Sequence, residues 1–498
     1  LWSPRSPWLL LAPLVSPTMP HGTSPPCSLC PEGAHRFQWI QNLVPEFGIS
    51  SSHVKVLSSP TEFFELMKVG GERISFNPLW PAFLCPQVDC IDKALERALQ
   101  ASSPCSLRVS ILLDFTRGSR GRQNSRTMLL PLLQRFPERV RVSLFHTPHL
   151  RGLLRLLVPE RFNETIGLQH IKVYLFDGNV ILSGANLSDS YFTNRQDRYV
   201  FLQDCPEVAD FFTDLVEAVG DVSLQLQGDD SVRVLEGALH PYKGDRRAYC
   251  EAARRKVMGV IEGARARQLR LHAQTAHGPG ERPPAPDTWI YPLVQMKPFG
   301  IRIDEAVTET LLTEPECGAR LFLTTGYFNL TRAYMELVLG ARADYRILLA
   351  SPEVNGFFGA RGVAGAIPAA YVYIERQFYR QVCNLGQEER VRLQEYRRSG
   401  WTFHAKVTGI EHPLSAKRRR CRVLGGDLVP ALQRSTVHSP RISVLARTVT
   451  KVFTSGQGGE IEQLYGLSGA VTAATFEQPS RCVKLWVKLL TPLIKNFF

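Results

Sequence analysis

The stretch QHIKVYLFDG, residues 169–178, places polar residues in an order that core packing alone does not explain. Apolar residues such as Ile171 and Val173 predict a buried strand. On a strand, His170 and Lys172 would project from the same face, because residues i and i+2 share a side. An ammonium group beside a histidine lowers the pKa of the imidazole unless a negative group lies between them. We therefore hypothesise that this stretch binds a phosphate.

Length, charge and cysteine content limit the class of protein. A chain of 498 residues exceeds what one hydrophobic core usually supports, so two halves are predicted. The net charge of +13 favours partners that carry phosphate, either anionic lipid or nucleic acid. The 11 cysteines are scattered, which favours free thiols in a reducing compartment. The sequence contains no apolar run of about twenty residues, so it predicts no membrane-spanning helix.

Strand and helix patterns alternate along the chain and then restart. Continuous apolar runs predict strands in the first part, at residues 107–115, 140–145, 171–177, 179–184 and 197–202. A helix is predicted at residues 205–222. Beyond a segment rich in Pro and Gly, strands are predicted again, at residues 320–325, 345–350 and 400–410. This alternation is typical of an α/β layer structure.

The second part also contains a histidine and a lysine two positions apart, His404 and Lys406. Two copies of the pattern predict a duplicated unit whose halves are related by a pseudo-twofold axis and meet at one cleft. The predicted division is a disordered leader at 1–36, a first half at 37–272, a linker at 273–289, and a second half at 290–498 with an atypical segment at 407–459.

These residue types suit the cleavage of a phosphodiester. One histidine can attack phosphorus while a second protonates the leaving oxygen. Two lysines and an amide can stabilise the charge on the phosphate oxygens, so no metal or other cofactor is required. The arginines of the loop after residue 115, including Arg117 and Arg120, are further candidates for contacting phosphate.

The spacing H-x-K-x(4)-D, followed by a turn of small residues with an Asn, resembles the phospholipase D superfamily. His170, Lys172 and Asp177 fit that spacing, and Asn186 and Asp197 follow. The resemblance is strongest to mitochondrial phosphatidyltransferases of this superfamily and covers residues 51–68, 89–406 and 460–498. The resemblance implies a duplicated α/β/α sandwich. It is compatible with ATP binding but does not require it.

The resemblance also implies a reaction and a role for each residue. A phosphatidyl group would move from CDP-diacylglycerol to glycerol 3-phosphate, releasing CMP, at the anionic surface of the inner mitochondrial membrane and without nucleic acid. His170 would be the nucleophile, and His404 would be the acid and then the base. Lys172, Lys406 and Asn186 would hold the phosphate. Asp197 would orient His404.

Two segments, residues 69–88 and the stretch after Lys406, depart from the superfamily's pattern. The second lacks counterparts of Asn186 and Asp197. This leaves two alternatives: a chain that binds lipid or nucleotide without turnover, and another phosphodiesterase or nuclease of the superfamily. An Asn and an acid facing His170 would argue against the first alternative, and CMP release that depends on glycerol 3-phosphate would argue against the second.

Overall fold

Strands and helices alternate in the folded chain, as the sequence pattern predicts. The computed structural model describes residues 37–68, 73–76, 86–102, 107–160, 163, 166–277, 286–313, 318–411, 422–425, 444–454 and 466–494. The predicted leader, residues 1–36, lies outside the described residues, as does most of the atypical segment at 407–459. Residues 40–498 form one compact unit, so both predicted halves belong to the same body.

The strands run in chain order as follows: β1 (Phe47–Ile49), β2 (Val54–Leu57), β3 (Arg73–Phe76), β4 (Arg108–Asp114), β5 (Val140–Phe145), β6 (Gly167–Gln169), β7 (Val173–Phe176), β8 (Asn179–Ser183), β9 (Arg195–Gln196), β10 (Tyr199–Leu202), β11 (Leu224–Leu226), β12 (Val232–Arg233), β13 (Thr288–Met296), β14 (Ile301–Arg302), β15 (Arg320–Thr325), β16 (Asp344–Ala350), β17 (Val391–Tyr396), β18 (Thr402–Phe403), β19 (Val407–Glu411), β20 (Arg422–Gly425), β21 (Val444–Thr454) and β22 (Ser468–Ala470).

The α-helices run in chain order as follows: α1 (Pro60–Met67), α2 (Pro86–Ala101), α3 (Phe115–Gly118), α4 (Ser125–Arg135), α5 (Gly152–Leu157), α6 (Asp189–Thr193), α7 (Pro206–Asp221), α8 (Arg246–His277), α9 (Ile303–Thr313), α10 (Arg332–Gly340), α11 (Ile367–Asn384) and α12 (Leu485–Ile494). The range predicted as linker, 273–289, therefore contains the end of α8 and the start of β13. The domain boundaries stay predictions.

Two sheets repeat one arrangement. In a nine-stranded sheet, β3, β4 and β5 run parallel, and β7 lies antiparallel on the other side of β3. In a five-stranded sheet, β15, β16 and β17 run parallel, and β19 lies antiparallel on the other side of β15. Strand β7 follows Lys172, and β19 follows Lys406. The equivalent placement of the two His-x-Lys segments reflects the predicted duplication.

Helices cover both faces of the first sheet. Ile111 of β4 belongs to a core with Phe63 of α1, Leu99 of α2 and Leu129 of α4. Leu112 is also fully buried, and it projects to the opposite face because successive side chains alternate along a strand. Helix α7 packs against β4, β5 and β7. The result is the three-layer α/β/α sandwich that the superfamily resemblance implies.

Local sequence explains the turn that follows β7. The hairpin between β7 and β8 pairs Phe176 with Asn179 and leaves Asp177 and Gly178 as its two-residue turn. Asp177 has a φ of 52°, a left-handed conformation that Asp tolerates better than most residues. β7 and β8 are therefore joined by a tight hairpin.

A buried histidine follows β5 and is sensitive to acid. His146 packs against the rings of Phe115 and Tyr242, and its Nδ1 lies 2.9 Å from the carbonyl oxygen of Thr147. Burial lowers the pKa of His146 from 6.5 to about 4, and the charge of Arg155 acts in the same direction. The folded protein therefore holds this imidazole in its neutral form at neutral pH.

Acid is expected to weaken the fold through His146. In the unfolded chain this histidine takes up a proton below about pH 6.5, whereas in the fold it does so only near pH 4. Its contribution to the free energy of unfolding is intact above pH 6.5 and falls by about 3 kcal/mol as the pH drops towards 4. Urea unfolding at pH 7 and pH 5 measures the loss. The variant His146→Gln should show a shallower pH dependence, and an unchanged slope would contradict this account.

Candidate active site

Both His-x-Lys segments lie at breaks in regular structure. His170 and Lys172 fall between β6 and β7, and His404 and Lys406 fall between β18 and β19. The prediction that each pair lies on one continuous strand is wrong. The chain changes sheets at each segment: β6 pairs with β21 but β7 with β3, and β18 pairs with β9 but β19 with β15. The strand pairing is therefore interrupted at both His-x-Lys segments.

Each segment also contacts the carboxyl end of a parallel strand in its own half. Asp114 ends β4, and its Oδ2 accepts a hydrogen bond of 3.0 Å from the amide of Gln169, the residue before His170. Gly326 follows β15, and a Cβ there would lie only 2.6 Å from the carbonyl oxygen of Phe403. Ligands of α/β proteins usually bind at this edge of the sheet. Asp114 was not predicted, although an acid that ends a buried apolar strand is a recognisable signal.

An acid from the first half contacts the histidine of the second. Nδ1 of His404 lies 2.7 Å from Oδ2 of Asp197, and Oδ1 of Asp197 accepts a hydrogen bond of 2.7 Å from the amide of Arg198. Both side chains are buried. A carboxylate at Nδ1 favours the tautomer with its proton on that nitrogen, which leaves Nε2 to act as an acid or a base. The contact is the one that the superfamily resemblance implies.

The two lysines fold back on their own histidines in the same way. Nζ of Lys406 lies 3.0 Å from the carbonyl oxygen of His404 and 3.0 Å from its Nε2. Nζ of Lys172 lies 3.4 Å from the carbonyl oxygen of His170. Both lysines are buried, whereas His170 is half-buried. Each half thus places a buried ammonium group at the backbone carbonyl of its own histidine, and in the second half that group also contacts the imidazole.

A short parallel pairing between the two halves holds Asp197 against His404. Strand β9 pairs with β18, and the amide of His404 donates a hydrogen bond of 2.8 Å to the carbonyl oxygen of Gln196. On the other side of Asp197, a Cβ at Gly184 would lie 2.8 Å from Oδ1 of its carboxylate. Only glycine lets the small-residue turn approach so closely. The turn that the sequence singled out thus packs against this acid.

Aromatic and cationic side chains surround the ring of His404. Tyr191 and Tyr327 contact it edge-on, with ring centroids 5.2 Å and 5.6 Å away. Burial raises the pKa of both tyrosines, so both stay neutral. The guanidinium of Arg195 lies over the Tyr191 ring at 4.8 Å and donates a hydrogen bond of 3.0 Å to Oγ1 of Thr402. These three residues were not predicted, because nothing in their local sequence marks them.

Two further predicted residues lie near this cluster. Nδ2 of Asn186 lies 3.5 Å from the hydroxyl of Tyr191. Within the described residues, Oδ1 of Asn186 is buried without a hydrogen-bond partner. The charge of Arg117 acts on Tyr327, lowering its pKa against the larger effect of burial. The backbone amide of Arg117 is also held by Asp114 at 3.0 Å, so this arginine follows the end of β4 and its charge acts on Tyr327.

Two other predicted residues are placed differently. Asp177 is exposed in the turn at the far end of β7, so the structure does not bring it to the two histidines. Arg120 donates a hydrogen bond of 3.2 Å to the carbonyl oxygen of Glu160, which lies just after α5. Arg120 therefore contacts the loop that leads towards His170 rather than the histidine pair.

Replacing Gly326 by alanine is expected to displace the backbone of His404. The added Cβ would meet the Phe403 carbonyl oxygen at 2.6 Å and the His404 Cα at 2.9 Å. The expected cost is about 1–3 kcal/mol of stability, with a large loss of activity. Thermal unfolding and turnover measure the two effects. Gly259→Ala is the matched control: within α8 a Cβ there meets nothing within 4 Å, so unchanged or higher stability is expected. If Gly326→Ala and Gly259→Ala had the same stability and the same turnover, the close approach of Gly326 to Phe403 would not position the backbone of His404.

Neither a metal cluster nor a spanning helix occurs in the part of the chain that the structure describes. No group of three or more His, Cys, Asp or Glu side chains could hold a metal ion there. No helix among these residues is long and apolar enough to cross a membrane.

Comparison with known proteins identifies close relatives. No family model matches the chain. The protein is 69% identical to the mitochondrial CDP-diacylglycerol–glycerol-3-phosphate 3-phosphatidyltransferase of Mus musculus, over 99% of this chain and 92% of that protein. Its identity to the Homo sapiens protein of the same name is 68%, over the same shares of both chains. The Saccharomyces cerevisiae protein is 32% identical over 74% of this chain and 72% of its own length.

A solved structure supports the fold independently. The phosphatidylserine synthase of Haemophilus influenzae superposes with a TM-score of 0.63 over 93% of this chain and 99% of that chain. At 18% identity this likeness bears on the fold alone. The predicted α/β fold class and the mitochondrial compartment are confirmed. The chain belongs to the family of mitochondrial CDP-diacylglycerol–glycerol-3-phosphate 3-phosphatidyltransferases.

Proposed function

We propose that this chain transfers the phosphatidyl group of CDP-diacylglycerol to glycerol 3-phosphate and releases CMP, through a phosphohistidine at His170. The names of the relatives supply the two substrates. The observation that carries the proposal is the buried contact of 2.7 Å between Asp197 of the first half and His404 of the second. That contact holds Nδ1 of one imidazole and assigns proton transfer to its Nε2, while a second imidazole, His170, stands in the equivalent segment of the other half.

In the first step, a ring nitrogen of His170 attacks the phosphorus that carries diacylglycerol. A P–N bond forms, and the P–O bond to CMP breaks with its electron pair going to CMP. His404 donates its Nε2 proton to the departing phosphate oxygen. Asp197 holds Nδ1–H throughout and stabilises the imidazolium before the proton leaves, because an opposite charge favours the charged form. The products of this step are CMP and a phosphatidyl-enzyme.

In the second step, the neutral His404 removes the proton from a hydroxyl of glycerol 3-phosphate. The hydroxyl oxygen attacks phosphorus, the P–N bond breaks, and its electron pair returns to His170. The proton from this hydroxyl replaces the one that His404 gave to CMP, so the site returns to its starting state. Phosphatidylglycerophosphate leaves, and no oxidant, metal or other cofactor takes part.

Two buried ammonium groups supply the charge that a phosphoryl transition state needs. Lys172 and Lys406 each point back over the segment of their own histidine. Amide and guanidinium donors from Asn186 and Arg117 lie beside the same cluster. In a buried site such groups act at low effective dielectric, which strengthens them relative to water. Asp177 takes no part in this scheme, because it is exposed at the hairpin turn.

The lipid substrate places the reaction at a membrane surface. We infer that the chain works as a peripheral protein on the anionic inner mitochondrial membrane, with no nucleic acid partner. The net charge of +13 supports attraction to such a surface.

Release of CMP by the purified chain tests the proposed function. Sustained release of CMP from CDP-diacylglycerol should require glycerol 3-phosphate and should match the phosphatidylglycerophosphate formed, whereas without glycerol 3-phosphate it should stop at about one CMP per enzyme molecule. Release of CMP with water alone, at the same rate, would instead indicate a phosphodiesterase. Binding of CDP-diacylglycerol without any CMP would indicate a chain that keeps its ligand but has lost turnover.

A further inference from the structure

We propose that helix α5 and the cations beside it dock this protein onto an anionic lipid bilayer, next to the active site. We call the four side chains of α5 that carry the argument the leucine surface: Leu153, Leu154, Leu156 and Leu157. The inference rests on the proposed function in one respect: the leucine surface would bring the protein to the bilayer from which it takes its lipid substrate.

The leucine surface is exposed to an extent that soluble helices avoid. Leu153, Leu156 and Leu157 are 75%, 78% and 75% exposed, and Leu154 is 40% exposed. Positions i, i+3 and i+4 lie on one face of a helix, so the three most exposed leucines form one apolar stripe. No residue of α5 is buried. A helix in a globular protein normally turns such a stripe inward, and a contiguous exposed apolar patch marks an interaction surface.

Positive charge borders the leucine surface. Arg155 lies within α5, with its guanidinium 4.2 Å from the ring of Tyr242. Arg151 donates a hydrogen bond to the carbonyl oxygen of Gly244, which brings the segment before α8 beside α5. That segment and the first turn of α8 add three exposed cations, Lys243, Arg246 and Arg247.

The acids in the same region do not cancel this charge. Arg247 forms an ion pair of 3.2 Å with Glu251, and the carboxylate of Asp245 accepts from the Arg247 amide. Glu160 follows the helix. Five cations therefore face three acids. An apolar stripe bordered by Lys and Arg is the composition that binds the interface of an anionic bilayer.

The chain path puts this surface at the catalytic edge of the sheet. Helix α5 lies in the connection from the carboxyl end of β5 to His170. Arg120, from the loop after β4, reaches the carbonyl oxygen of Glu160 just beyond α5. Asp114 at the end of β4 holds the residue before His170. A lipid whose acyl chains stay in the bilayer could therefore present its phosphate to the site without leaving the membrane.

Charge favours a bilayer over a second copy of the chain as the occupant. In a symmetric dimer the same patch lies on both subunits, so the cations around one leucine surface would face those around the other. Like charges brought together in this way cost energy, whereas an anionic bilayer neutralises them.

Vesicle binding by the full chain tests the inference. The probes are vesicles of one part phosphatidylglycerol to four parts phosphatidylcholine, and vesicles of phosphatidylcholine alone. Replacing the stripe with Leu153→Ser, Leu156→Ser and Leu157→Ser should weaken partitioning to the anionic vesicles at least about tenfold. Wild-type binding should be weaker to the neutral vesicles and should fall with added salt.

A matched control removes two exposed leucines elsewhere. Leu269 and Leu385 are 51% and 57% exposed, and Leu269 lies about 35 Å along α8 from its start. Leu269→Ser combined with Leu385→Ser should leave binding unchanged. Three results would overturn the inference. The triple variant could bind vesicles as tightly as the wild type, or vesicle binding could be lost only in variants of Leu485 and Leu489 in α12. The triple variant could also abolish a dimer while its vesicle binding persists.

Activity separates this inference from the proposed function. With CDP-diacylglycerol dispersed in detergent, the triple variant should turn over as fast as the wild type. With the substrate in vesicles, its turnover should fall by the same factor as its vesicle binding. A wild type that binds vesicles through the leucine surface but never releases CMP would refute the proposed function and leave the docking surface standing. CMP release with unimpaired vesicle binding by the triple variant would refute the docking surface alone.

Discussion

His170→Ala should abolish the labelled phosphatidyl-enzyme and lower phosphatidyl transfer by about 10⁴-fold or more. The variant loses the nitrogen that forms the bond to phosphorus, and neither buried lysine can replace it while each is held at the carbonyl oxygen of its own histidine segment. Labelled CDP-diacylglycerol, mixed with enzyme and quenched before glycerol 3-phosphate is added, measures the intermediate. The trapped label should be labile to acid and stable to base, as a phosphohistidine is.

Two further variants show which imidazole is the nucleophile. His272→Ala removes an exposed histidine of α8 and should leave label and turnover unchanged. His404→Ala should still form label, but slowly, because the leaving group departs without its proton. Label that persists in His170→Ala and disappears in His404→Ala would reverse the two roles. Equal loss in all three variants would indicate a general failure to fold.

Local sequence predicted the elements of the fold well where the chain keeps to one sheet. The runs at 140–145 and 320–325 are strands with those bounds, because each is an apolar run long enough to cross a buried sheet. The strand predicted at 171–177 is β7 with slightly shorter bounds, but the prediction failed at 400–410, where one apolar pattern spans β18 and β19, which lie in different sheets. The breaks at His170 and His404 depend on pairing with β21 and β9, which no local pattern shows.

Motif spacing likewise predicted the site only in part. The H-x-K-x(4)-D pattern marked His170 and Lys172, yet its acid, Asp177, comes after β7, a strand about 13 Å long. The strand carries that acid away from the histidine and into the exposed turn. Asp197 was assigned to His404 by resemblance, and the two are 2.7 Å apart. Arg195 reaches Thr402 only because two distant segments pair as β9 and β18, so tertiary structure alone places it there.

Asp197→Asn is expected to lower turnover on CDP-diacylglycerol by about 10³–10⁴-fold while the protein stays folded. The amide keeps the shape of the carboxylate, so the contact with Gly184 and the hydrogen bond from the Arg198 amide can both survive. The negative charge that holds Nδ1–H of His404 is lost, and the ring is no longer fixed in the tautomer that can serve as acid and base. Circular dichroism should be unchanged, and KM should change little compared with kcat.

A better leaving group distinguishes proton transfer from structural support by Asp197. A phosphatidyl ester of p-nitrophenol needs little protonation as it departs, so the defect of Asp197→Asn in forming the phosphatidyl-enzyme should shrink by at least about tenfold on that substrate. Asp177→Asn makes the same chemical change in the exposed turn, where the left-handed backbone suits Asn, and turnover should stay within about threefold of wild type. If Asp197→Asn were equally impaired on both substrates, the carboxylate would serve only to hold the two halves together, and His404 would lose its role as the acid that releases CMP.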